Sequence, residues 1–333
     1  MKMNLLPSLR HLSSLAAVAI FSLAGCDRQS ADKESPGGAP KTGKTLTVGF
    51  SQVSAESDWR VAESKSIKDE ATKRGIDLKF SDSQGKQENQ FKAIRSFIAQ
   101  GVDAIILAPK VETGWEEILK EAKQAKIPVV LVDRGIKVSD DSLYVTLIAS
   151  DFVAEGRLAG DWLAKKTGGK AQIIELEGSP GAAPAIDRKK GFAESIAAHP
   201  GMKIIASQSG DFETGKGKEV METLLQQHGK DVTAVYAHND NMALGAIEAI
   251  KAAGKKPGVD IPIVSIDAVR AAFTAMVAGE LNCTIECNPL LGPLAFDAVE
   301  KARKGESLPK KTVIQDRVFD QSVAASELPN RKY

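Results

Sequence analysis

The sequence predicts an α/β fold built of two Rossmann-like lobes with parallel sheets, and three observations predict it. From Thr45 to about Pro309, short β-rich runs alternate with helix-length amphipathic segments. The strand runs are nearly all apolar, as parallel strands covered on both faces must be. A weak internal repeat supplies the third. Asp103-Ala104-Ile105-Ile106 leads through a helix to Ile127-Pro128-Val129-Val130-Leu131-Val132-Asp133. Thr233-Ala234-Val235-Tyr236 then leads through a helix to Ile261-Pro262-Ile263-Val264-Ser265-Ile266-Asp267. Each half ends an apolar strand on an Asp after the same Ile-Pro start, which suits two similar lobes.

The elements follow in order. A strand expected at 46–50 precedes a helix at 58–74, which Gly75 ends as a C-terminal glycine cap. A strand at 77–80 leads to a helix at 87–100, capped by Gly101. The apolar run 104–107 reads as a strand, 115–124 as a helix, and 129–132 and 144–148 as strands. The second half repeats the rhythm. Its helices are expected at 153–166, 187–198, 214–227, 241–253 (before Gly254) and 268–278. Its strands are expected at 172–176, 203–207, 234–237, 263–266 and 284–286.

Lys and Arg total 44 against 43 Asp and Glu, so no basic face for nucleic acid is suggested. The chain has three cysteines. If 283–287 is a strand, the Cα atoms of Cys283 and Cys287 lie roughly 13 Å apart at ~3.3 Å per residue. A disulfide needs less than ~7 Å, so two free thiols are expected.

The amino terminus points outside the cytoplasm. Met1 to Arg10 carries Lys2 and Arg10 with no acid, Leu15 to Leu23 is apolar, and Leu23-Ala24-Gly25-Cys26 precedes a polar stretch. A basic start, a short apolar run and small residues before a cut make a secretory signal, too short for a bilayer span. Cys26 after Leu-Ala-Gly resembles the lipobox of bacterial lipoproteins. That resemblance implies cleavage after residue 25 and lipidation of Cys26, and Asp27 resembles a signal for retention in the inner membrane. Residues 27–44 hold almost no apolar side chain and read as a tether.

In open α/β sheets ligands bind beyond the carboxyl ends of strands. Those ends carry Gln52, with Ser57-Asp58-Trp59-Arg60 opening the next helix, then Asp133-Arg134, Gly210-Asp211-Phe212, His238-Asn239-Asp240, Asp267 and Glu286. Ile186-Asp187-Arg188 opens another helix. This is the layout of a ligand cleft between lobes. Asp, Arg and Asn together suit sugar hydroxyls, which both donate and accept. Trp59 and Phe212 offer flat apolar faces to the C–H side of a sugar ring. Trp115 and Trp162 read as packing residues.

Enzyme readings fare worse. Gly178-Ser179-Pro180-Gly181 is not a Gly-x-Ser-x-Gly elbow. The histidines are too scattered for a metal site, and no Gly-x-Gly-x-x-Gly or Walker loop occurs. Asp133 and Asp267 could imitate a glycosidase pair, but each has an Arg beside or facing it. Both are expected to stay ionised, which leaves no general acid. Neither an enzyme nor a cofactor is expected.

Residues 48–52 through Trp59-Arg60, Asp133-Arg134, Asp187-Arg188-Lys189-Lys190-Gly191-Phe192, Asn239-Asp240 and Ser265-Ile266-Asp267 resemble the ribose-type periplasmic sugar-binding proteins. Glu56-Ser57, Trp59-Arg60, Gln87-Glu88-Asn89-Gln90, Gly114-Trp115 and Ser207-Gln208-Ser209-Gly210-Asp211-Phe212 bring the resemblance closest to galactofuranose-binding proteins of ABC importers. The resemblance implies a type I periplasmic-binding-protein fold, two lobes joined by three crossovers and closing on ligand. It implies a first lobe of residues 45–149 plus 268–289, a second of 150–267 plus 290–315, and a tail at 316–333.

By the same resemblance Glu56, Ser57, Trp59, Arg60, Asp133 and Arg134 would bind ligand from the first lobe. Arg188, Phe212, Asn239, Asp267 and Glu286 would complete the site. Trp59 and Arg60 stand where ribose binders carry phenylalanines, Glu286 where they carry glutamine, and Ala108 where they carry asparagine. Ribose itself is therefore disfavoured. The expected partners are a monosaccharide, the permease of an ABC importer, and the membrane through the lipid anchor alone; a monomer is expected. Presentation of sugar to a membrane sensor is the alternative, as is another monosaccharide.

Overall fold

The computed structural model describes residues 45–333. The signal at 1–25, the lipidation at Cys26 and the tether to residue 44 lie outside the described residues.

The first lobe begins with β1 (Thr47–Gln52), α1 (Asp58–Arg74), β2 (Asp77–Asp82), α2 (Gln87–Gln100), β3 (Ala104–Leu107), α3 (Glu116–Gln124), β4 (Val129–Val132) and β5 (Thr146–Ser150). The chain then crosses into α4 (Phe152–Thr167), β6 (Lys170–Glu177), α5 (Ala183–Ile196), β7 (Gly201–Ser209), α6 (Thr214–His228), β8 (Ala234–Ala237), α7 (Asp240–Ala252), β9 (Ile263–Asp267), α8 (Arg270–Val277) and β10 (Cys283–Glu286). It returns for α9 (Gly292–Arg303) and β11 (Lys311–Ile314), and crosses a third time to β12 (Val318–Asp320) and α10 (Gln321–Glu327).

Each lobe holds one six-stranded sheet, of order β11-β5-β4-β3-β1-β2 in the first and β12-β10-β9-β8-β6-β7 in the second. All pairings are parallel except β10 with β12. The first sheet is covered on both faces. Phe50, Ile106, Val130 and Phe296 pack on one side, and Phe97, Ile105, Leu131 and Trp115 on the other. This explains why β3 and β4 read as uninterrupted apolar runs.

The three crossings agree with expectation, but the lobe boundaries need correction. Residues 268–286 belong to the second lobe, because β10 pairs with β9 from Cys283 opposite Val264 to Glu286 opposite Asp267. A parallel strand reached through one helix settles beside its predecessor. Residues 290–314 belong to the first lobe, where β11 pairs with β5 and α9 buries Phe296 and Val299 in the core. Residues 316–333 are no tail: Phe319 on β12 stacks edge-on against Phe273 on α8, with ring centroids 5.1 Å apart.

Other boundaries moved for local reasons. Helix α5 starts at Ala183 rather than 187, since Pro184 fits a first turn where no amide partner is needed. Helix α8 starts at Arg270 rather than 268, because Asp267 and Ala268 take positive φ, 124° and 59°. Gly75 and Gly101 are the left-handed caps expected. Cys283 and Cys287 are free and buried. Among the described residues no helix is long and apolar enough to cross a membrane.

Candidate functional site

Between the lobes lies a cavity of about 270 Å³. Ten of the eleven expected residues line it: Glu56, Ser57, Trp59, Arg60, Asp133, Arg134, Arg188, Phe212, Asn239 and Asp267. A larger open hollow of about 1210 Å³ sits at the opposite ends of the first-lobe strands. The inter-lobe cavity is the candidate, because buried charged groups from both lobes converge only there among these two.

The first-lobe wall grows from the end of β1 and the start of α1. Ser57 caps α1, its Oγ accepting from the Arg60 amide at 3.2 Å. That cap puts Trp59 and Arg60 in the first turn, facing the cavity. Arg60 is 3 % exposed. Its Nη1 donates to Glu63 at 2.6 Å and its Nη2 to Asp133 at 2.6 Å. Gln52 points into the same network rather than into the cavity, its Nε2 donating to Glu63 at 2.9 Å. Glu63 was missed in the sequence, where a glutamate inside a helix reads as a solvated residue.

Asp133 leaves β4 with φ of 61°. Arg134 follows, its Nη2 donating to Glu56 at 2.6 Å and its Nη1 to the Lys110 carbonyl at 3.3 Å. Burial works to raise the Glu56 carboxyl, but Arg134, Arg60 and Lys110 outweigh it and hold the group down at about 2. Glu56 is therefore an anion at neutral pH.

The second-lobe wall centres on Arg188. Its Nε donates to Glu155 at 2.7 Å, its Nη1 to the His238 carbonyl at 2.6 Å, and its Nη2 to Asp267 at 3.4 Å. Asn239 caps α7, accepting from the Met242 amide at 3.0 Å and donating to the Phe212 carbonyl at 3.1 Å. Phe212 reaches the cavity because position 178 is glycine; a Cβ there would stand 1.9 Å from the ring.

The two aspartates differ in what favours their ionised form, and Asp267 is the opposed one. Burial pushes its carboxyl well above the usual range, Arg188 opposes this, and the nearby acids Asp240, Glu155 and Asp133 add to the rise. Arg188 lies closer to Glu155 than to Asp267, so its charge is shared unequally.

Glu286 is the exception among the eleven. Its carboxylate accepts from Arg331 Nη1 and from the Tyr333 hydroxyl, both at 3.1 Å, away from the cavity. The neighbouring Cys287 lines the cavity instead. Successive side chains of an extended segment point to opposite sides, so a displacement of one residue exchanges inside for outside. Cys287 and Pro184 are the lining residues not foreseen.

Backbone strain gathers here. Seven non-glycine residues among those described have positive φ, and Asp133, Asp211, Phe212, Asp267 and Ala268 are five of them. Such conformations cost of order 1–3 kcal/mol each and cluster at functional sites. The lobes also touch directly. The Glu112 amide donates to the Gly181 carbonyl at 2.9 Å, and Lys110 Nζ to Ser179 Oγ at 3.3 Å. Among the described residues no group of three or more His, Cys, Asp or Glu could hold a metal.

A charged cavity thus lies between two parallel-sheet lobes, a fold shared by proteins that this chain resembles. Residues 48–307 match the periplasmic binding protein domain family. The chain belongs to that family. It is 55 % identical to the galactofuranose-binding protein YtfQ of Escherichia coli (strain K12) over 291 residues, 86 % of this chain and 92 % of the relative. It is 34 % identical to the ribose import binding protein RbsB of Bacillus subtilis (strain 168), over 90 % and 95 % of the two chains. Among solved structures, the periplasmic binding protein component of the arabinose ABC transporter from Shewanella sp. ANA-3, bound to alpha and beta-L-arabinofuranose, superposes with a TM-score of 0.85. It is 57 % identical and covers 86 % of this chain and 96 % of its own. These relatives are binding proteins of sugar transporters and not enzymes, in keeping with the failed catalytic motifs.

Proposed function

We propose that this chain binds a neutral monosaccharide in its furanose form, galactofuranose foremost, and delivers it to the permease of an ABC importer. One observation carries the reading. Arg60, Arg134 and Arg188 are each held in place by carboxylates while bordering the same cavity. Paired charges offer fixed donors and acceptors to hydroxyls yet leave no unmatched charge that would call for an ionic ligand. Trp59 and Phe212 border the same space as aromatic faces. The space between the lobes is small, which favours a single sugar ring over an oligosaccharide.

Likeness to a galactofuranose-binding protein and to an arabinofuranose-bound structure supports the furanose form. In this reading Cys26 carries the lipid and tethers the receptor at the inner membrane beside its permease. Hinge closure brings the Arg188 wall onto a sugar first held by the Arg60 and Arg134 wall.

Isothermal titration calorimetry tests the proposal, with D-galactose, L-arabinose, D-ribose and a furanose-locked galactoside. The expected result is apparent galactose binding that tracks the small furanose fraction. Preferential binding of a pyranose-locked sugar would overturn the furanose assignment, and no binding of any of the four would overturn the sugar class tested.

A further inference from the structure

Asp267 is held in its conformation by a residue that never reaches the cavity. It ends β9 with φ of 124°, and Ala268 follows at 59°. Neither is glycine, so this turn needs support from its surroundings. The support converges on Asp240, the fully buried first residue of α7. One oxygen of Asp240 accepts from Ser265 Oγ and from Thr284 Oγ1, the latter at 2.8 Å; the other accepts from the Val269 amide at 2.9 Å. Thr284 Oγ1 in turn accepts from the Ala268 amide at 3.0 Å. The two amides that follow Asp267 are thus tied, one directly and one through Thr284, to a single carboxylate. Ser265, two residues before Asp267, is tied to it as well.

We infer that Asp240 is a positioning residue for ligand binding: it fixes the strained Asp267-Ala268 turn and so aims the Asp267 carboxylate at Arg188 and the cavity. This rests on the reading of Asp267 as a binding residue. The carboxylate is costly to bury, and burial raises its pKa to about 6 against the opposing hydrogen bonds of Ser265, Thr284 and Val269. An acid that only closed a helix terminus would not need three donors, one each from β9, the β9–α8 turn and β10.

Asp240→Asn and Thr284→Val test the inference, since both keep side-chain size while removing one acceptor from the turn. With the purified protein and D-galactose as probe, each is expected to weaken binding about 10- to 100-fold. In an Asp267→Ala background the same changes should add less than about threefold, because residues acting through one another are not additive. Full additivity would show a general structural effect and overturn the inference. If Asp267→Ala alone leaves binding intact, the assignment of the site fails instead. A crystal structure of Asp240→Asn then decides the positioning claim by itself. A turn with altered φ at residues 267 and 268 sustains it, and an unchanged turn ends it.

Discussion

Asp133 and Asp267 meet the same cavity from opposite lobes, each leaving an equivalent apolar strand with positive φ and each facing an arginine from another element. Asp133 pairs with Arg60 at 2.6 Å and Asp267 with Arg188 at 3.4 Å. The repeated Ile-Pro strands of the sequence therefore end in a matched pair of acid–guanidinium contacts. Alanine at either position should weaken sugar binding by about 2–5 kcal/mol, because the cavity loses an acceptor and a buried arginine loses one of its carboxylate partners. Calorimetry on both variants checks this; losses under about tenfold at both positions would mean that the ligand lies elsewhere.

Arg60 is the second point of test. Its guanidinium lies 4.7 Å from the Trp59 ring centre and holds Glu63 and Asp133 together. Arg60→Phe should reduce affinity for a hexofuranose by at least tenfold, roughly the value of one charged hydrogen bond, and relax selection against pentoses. A competition titration between galactose and ribose reads the change. Unchanged selectivity would remove Arg60 from the specificity argument.

The third crossing carries a titratable group in an unusual place. Asp316 is mostly buried and one of its oxygens has no partner. Burial first, then Glu155 and Glu286, push it from 3.8 up to about 8, against Ser150 and Arg188. A folded pKa above the unfolded one means that its stabilising contribution is complete below about 3.8 and is lost as pH rises through 8. Asp316→Asn should therefore gain thermal stability relative to the parent as pH is raised from 5 to 9. Melting curves across that range decide it, and a constant difference would show that Asp316 does not titrate there.

Much of this was legible because parallel strands buried on both faces leave an unambiguous mark. The spans 104–107, 129–132 and 234–237 were read to the residue, and so were 58–74 and 87–100. The sheet that a strand joins left no such mark. Cys283–Glu286 is a short buried strand that would suit either lobe, and only its pairing with β9 assigns it. Helix α9 went unread although Gly292-Pro293 opens it and Ala295, Phe296, Ala298 and Val299 form its buried face. At the site, lining residues at strand ends were found because position along a strand implies them. Glu286, expected from the resemblance, turns away from the cavity that Cys287 lines, because side-chain direction reverses with every residue of a strand.

Trp59 has a consequence for how the molecule can be watched. It belongs to α1 of the first lobe, yet it packs with the core of the second and donates through Nε1 to the Cys287 carbonyl in the second crossing, at 2.6 Å. Of the three tryptophans it alone lines the cavity. Opening the lobes must draw this indole out of one environment and into another, while Trp115 stays sealed in the first-lobe core. An indole so placed would report the proposed hinge motion through intrinsic fluorescence, without any attached dye.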